Sequence, residues 1–117
     1  MTSKKQQEEY LKKISKTEEQ LHNITKENQK IQAELARLEE DVQRNVRQMQ
    51  EINEKLARHG SPHARKLQEK LGRETREFQL FMSKQRESLQ YTYKQNTEKL
   101  QEERLRLQKE RRELSWD

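Results

Sequence analysis

The chain has 117 residues, 40% charged and 27% hydrophobic, with a formal net charge of +5 and no cysteine. Leu, Ile, Val and Phe make up only 21 positions, about 18%, which is too few to fill a globular core. The absence of cysteine excludes disulfides and thiolate chemistry, and no apolar run approaches the roughly 18 residues of a membrane span.

Ala, Glu, Lys, Leu and Arg account for 62 residues, the composition of long helices and coiled coils. Opposite charges are interleaved. Residues 1–59 carry 12 basic and 11 acidic groups, and residues 60–117 carry 14 and 10. No signal-peptide pattern opens the chain, so a cytoplasmic location is expected, with export alongside a client as the alternative.

From the N-terminus, Ser3 followed by Gln6 matches a capping box. It predicts a first helix from about residue 4 to Arg58. A strict heptad runs along it. The a positions are Ile14, Leu21, Asn28, Leu35, Val42, Met49 and Leu56, and the d positions are Tyr10, Thr17, Ile24, Ile31, Leu38, Asn45 and Ile52. None is charged. A sustained seven-residue repeat implies a narrow seam and a left-handed supercoil.

The lone proline and one of two glycines then fall together in Gly60-Ser61-Pro62. Glycine favours the position just past a helix end, serine the N-cap and proline the first helical residue. The order predicts a turn at 59–61 and a second helix from Pro62 to about Ser115. So short a connection makes the two helices antiparallel neighbours.

The second helix is less regular. Ala64, Leu67, Leu71 and Phe78 follow one register; Leu89, Tyr93, Leu100, Leu107 and Leu114 follow another, shifted by one residue. Folding about Gly60 sets Leu56 against Ala64, Met49 against Leu71, Val42 against Phe78, Leu38 against Met82 and Ile31 against Leu89. Leu21 and Ile14 then meet Leu100 and Leu107. The fold expected for residues 1–117 is a single all-α, antiparallel two-helix coiled-coil hairpin. Its seam comprises Ile14, Leu21, Ile31, Leu38, Val42, Met49, Leu71, Phe78, Met82, Leu89, Leu100 and Leu107.

A single seam leaves the ordering entropy of so long a chain poorly offset, which points to a further helical partner. Leu80, Tyr91 and Leu105 lie off the seam on one helical face, Leu11 and Val46 lie beside it, and Trp116 sits near the open end. These six are the candidate partner-binding residues. Apolar residues exposed singly are the plain alternative.

Catalytic, cofactor and metal sites are not expected. His59 and His63 flank the turn without a completing Cys or acidic pair, His22 is isolated, and no glycine-rich phosphate loop occurs. The run "ERLRLQKERRE", residues 103–113, could meet phosphate or anionic lipid. Glu103, Glu110 and Glu113 interrupt it, so a salt-bridged helix face is the stronger reading. Gly72, inside the second helix, either admits a close partner backbone or is simply tolerated.

With its charged hairpin pattern, its "REFQLF" segment past the turn and its arginine-rich "RLQKERREL" end, the chain resembles the small α-helical partner proteins encoded beside LXG toxins of the type VIIb secretion system. These belong to the WXG-like helical hairpins. The resemblance implies a targeting factor or chaperone that binds the helical N-terminal domain of the toxin, with a second small helical partner as a further component. The turn reads His59-Gly60-Ser61-Pro62 in place of W-x-G. Phe78, Phe81 and Tyr91 lead to Met82, Gln85 and Gln95 rather than to the acidic residue of an export signal. The resemblance therefore implies that another subunit supplies that signal. A self-associating coiled-coil scaffold is the second expectation, and a basic helical module for nucleic acid or membrane the third. No small-molecule substrate or enzymatic activity is expected.

Overall fold

A computed structural model describes residues 3–114, Ser3 through its backbone alone. It contains helix α1 (Ser3–Arg58) and helix α2 (Ala64–Leu114), and no strand among the described residues. The chain is an all-α antiparallel hairpin. The Ser3 side chain of the expected capping box lies outside the described residues, as do Trp116 and Ser115.

Both helices consist mainly of strong helix formers. Basic residues occupy both last turns, Lys55 and Arg58 in α1 and Arg111 and Arg112 in α2, where they complement the helix dipole. Thr17, Thr25, Thr75 and Thr97 donate their hydroxyls to the carbonyls four residues back. This satisfies each hydroxyl locally and lets threonine sit against the neighbouring helix.

Gly60 ends α1 with φ at +79°, a conformation that side chains with a Cβ rarely adopt. Its N–H donates to Ala57 O at 3.1 Å, and Ser61 N–H donates to Leu56 O at 3.0 Å. Together these bonds form a Schellman motif. The start of α2 differs from the expected order by two residues. Ala64 N–H reaches Ser61 O at 3.4 Å, which places Pro62 second in a four-residue turn, and the first helical bond runs from Leu67 N–H to His63 O at 3.0 Å. His63, not Ser61, therefore holds the N-cap position. The φ fixed by proline suits the second position of a β-turn as well as the first turn of a helix.

Two compact units divide the residues. The first pairs the α1 segment up to Lys30 with the α2 segment from Leu89 on, and the second spans Ile31–Ser88. In the first unit Ile14, Thr17 and Leu107 are buried, and Tyr10, Leu21, Ile24, Asn28, Leu89, Tyr93 and Leu100 are half-buried. The α1 contributors are a and d positions. Tyr93 Oη and Thr25 Oγ1 share a hydrogen bond of 3.0 Å. Arg111 Nε donates to Gln7 Oε1 at 2.9 Å while Gln7 Nε2 donates to Arg111 O at 3.1 Å. On α2 the inward residues Leu89, Tyr93 and Thr97 are separated by two successive four-residue steps, which places the register break within 89–97, beyond the Phe78–Leu89 interval where the sequence registers change.

In the second unit Met82 is the most deeply buried side chain, 1% exposed, with Ala64 and Asn53 also buried. Leu35, Glu39, Val42 and Val46 on α1 and Leu71, Thr75 and Phe78 on α2 are half-buried. The α1 contributors are now a and e positions. An unsupercoiled α-helix drifts about 20° per heptad against a seven-residue repeat, which turns d out and e in. Consequently Ile31 and Leu38, expected in the seam, remain exposed, and by Met49, also expected there, the drift leaves the a position exposed as well. Val46, expected as a docking residue beside the seam, instead faces α2, where it lines a cleft with Val42, Thr75 and Phe78. Arg86 and Glu39 form an ion pair across the helices.

Candidate protein-interaction surface

The drift creates an apolar face within the second unit. The d positions Ile31, Leu38 and Ile52 and the a positions Met49 and Leu56 leave 40% or more of their surface in solvent, with Ile52 at 59%. Near the turn, Met49, Ile52 and Leu56 join Leu67 and Leu71 of α2 around an open groove of about 290 Å³. Lys70 and Glu74 also line it, and they pair with one another at 3.9 Å. Asn53 lines the groove too, and its Oδ1 is buried without a hydrogen-bond donor. Phe81, two heptads beyond Leu67 on α2, is 53% exposed and continues this side of the unit.

Four of the expected docking residues are exposed. Leu80 lies in the second unit, and Leu11, Tyr91 and Leu105 lie in the first. Leu80 and Leu105 each stand two positions from a buried residue of α2, Met82 and Leu107, which places them on the outer side of the helix. Tyr91 is likewise two positions from the inward Tyr93, and its hydroxyl accepts a hydrogen bond from Gln95 Nε2 at 2.8 Å.

Within the basic run Arg106 and Arg111 are engaged, while Arg104 Nε is buried without a hydrogen-bond acceptor among the described residues. Arg106 pairs with Glu110 at 2.9 Å and with Glu103 at 3.6 Å, and Arg111 is held by Gln7. Near the turn Arg65 pairs with Glu69 at 3.6 Å. The Arg106 and Arg65 contacts are i,i+3 and i,i+4 pairs of a solvated helix, whereas Arg111–Gln7 joins the two helices. The Tyr10 phenol is pushed above its ordinary range. A hydrogen bond with the Glu110 carboxylate is the largest cause, followed by desolvation and the Glu110 charge, while Arg106 opposes the shift. Lys13 Nζ lies 5.5 Å from the centre of the Tyr10 ring.

Around Gly72, an added Cβ would meet only Arg76 Nη1, at 3.7 Å, which is ordinary contact. Among the described residues no three or more His, Cys, Asp and Glu side chains gather as a metal site would require, and no helix is long and apolar enough to cross a membrane.

The half-exposed face is built from residues that the heptad assigns to the seam. The signal that separates it from the true interface is the drift between 3.5 and 3.6 residues per turn, together with the partner series that α2 offers. Compared with models of known protein families, with curated proteins and with solved structures, the chain matches none.

Proposed function

We propose that this chain is a non-enzymatic helical binding module whose hydrophobic core is completed by another helical surface. One observation carries the reading. Among the described residues four apolar side chains are buried, while eleven large hydrophobic ones are exposed. Single exposed apolar residues are common, but here five of the eleven fall on the heptad frame of one helix within one unit, as a helix-binding face requires. The resemblance noted above nominates the helical N-terminal domain of an LXG toxin as the client, with this chain as targeting factor or chaperone.

Co-expression with such a domain tests the proposal. The expected result is a purifiable complex in which α1 and α2 exchange amide hydrogens more slowly than in the isolated chain. No complex with any helical client or further copy, together with a chain already fully protected alone, would overturn it. A self-associating scaffold is the second reading, favoured by the mixed charges that border the exposed face.

A further inference from the structure

The exposed face of the second unit has a natural occupant. We infer that a second copy of this chain packs on it, α1 against α1 in antiparallel order, so that two hairpins close a four-helix bundle around a two-fold axis. The inference rests on the reading that the core is completed between molecules, and it names the partner for this face.

Three observations carry it. The first is area. Ile31, Leu38, Met49, Ile52, Leu56, Leu67 and Phe81 are each between 40% and 59% exposed. Together they present on the order of 600–700 Å² of side-chain surface per copy, close to the ~800 Å² each partner contributes to a standard interface. The second is self-complementarity. Placing a layers against d layers in antiparallel order opposes Leu56 to the second copy's Ile31 and Met49 to its Leu38, while Ile52 and Asn45 meet the solvent-facing edges of Leu35 and Val42, which also pack toward α2. Every exposed a or d residue then meets an apolar one, and the two-fold repeats each layer.

The third is charge. The same register brings the flanking g positions together in pairs, Glu34 with Lys55 and Asp41 with Gln48. Glu34 and Lys55 have no ion-pair partner among the described residues of the chain, so each is available to the other copy. The two-fold makes the contact twice. Parallel packing would instead set g positions against e positions and bring Glu34 to the second copy's Glu39.

Light scattering on the full chain, over a range of concentrations, should give twice the 14.4 kDa chain mass. Ile52→Lys should halve the mass while helix content by circular dichroism is retained, because this side chain is 59% exposed within its own hairpin. Glu87→Lys, at an exposed position of α2 away from this face, should leave the dimer intact. Glu34→Lys should weaken association about tenfold, and Lys55→Glu in the same chain should restore it.

The native chain has no cysteine, which makes register directly readable. A mixture of Leu38→Cys and Met49→Cys chains should form a mixed disulfide on oxidation, far faster than either variant alone. A chain that is monomeric alone yet gains protection with a client sinks this inference and leaves the client reading standing. A chain that is monomeric and gains nothing removes both. A dimer indifferent to Ile52→Lys, or one cross-linked through Met49→Cys alone, overturns the face or its polarity.

Discussion

Met82 and Leu80 stand two residues apart on α2, one 1% and the other 63% exposed. Truncating each to alanine separates burial from composition within a single helical turn. Met82→Ala removes three heavy atoms from the interior of the second unit. At about 0.8 kcal/mol per buried methylene-sized group the transfer cost is roughly 2 kcal/mol. The void adds to it, and a two-helix interface relaxes more readily than a closed core, so the total falls in the lower part of the ~2–5 kcal/mol range for such truncations. The expected loss is about 2–3 kcal/mol. Leu80→Ala forfeits only the buried third of a side chain worth about 1.5–3 kcal/mol. The higher helix propensity of alanine returns about 0.2 kcal/mol, leaving a loss below about 0.8 kcal/mol. Urea unfolding followed by circular dichroism, with both variants at the same chain concentration, measures the difference. Losses within about 0.5 kcal/mol of each other would show that α2 does not turn Met82 inward, and the packing of the second unit would have to be redrawn.

Gly60→Ala meets no atom within 4 Å, but it forces a Cβ into positive φ, so a loss of about 1–2 kcal/mol is expected from strain alone. Gly60→Asn should cost less, and thermal melts rank the two. Gly72→Ala should stabilise by about 0.5–1 kcal/mol, since the added methyl fits beside Arg76 and helix propensity rises; destabilisation in the isolated chain would point to a close backbone contact at that position. Tyr93→Phe removes the hydrogen bond with Thr25 and should cost about 1 kcal/mol, most of which Thr25→Val in the same chain should not add to. Tyr10 favours its protonated phenol in the folded chain. The stability this contributes is present below about pH 10 and is lost as pH rises through the raised value. Phenolate absorbance should show one tyrosine ionising late, and Glu110→Gln should bring it back toward its ordinary range.

The hairpin was legible from its punctuation. Glycine, serine and proline in sequence mark a reversal because each suits a different backbone position, and the Schellman bonds at Gly60 follow from that chemistry. The start of α2 was legible only to within a turn, because proline fits two neighbouring geometries equally well. The heptad of α1 located the inward residues of the first unit. In the second unit it pointed to Ile31, Leu38 and Met49, while the structure turns Val46 and Asn53 inward instead. A residue pattern records which side chains prefer to leave water, and it does not say which of two possible neighbours receives them. That choice depends on where the pitch of α1 meets the irregular series of α2.

The reversal at Gly60 is closed by the backbone alone. His59, Gly60 and Ser61 each donate to a carbonyl of the last turn of α1, with no side chain taking part. The first contacts are therefore local and fast to form, on the roughly 0.1–1 μs scale of helix formation. Segments up to Lys30 and from Leu89 on are joined through residues 31–88. While that stretch is still a coil, the entropy of closing it opposes their meeting, and once it is folded most of that opposition is gone. Assembly should accordingly run as a zipper from the bend outward, and ribosomal synthesis delivers the bend before the last arm exists.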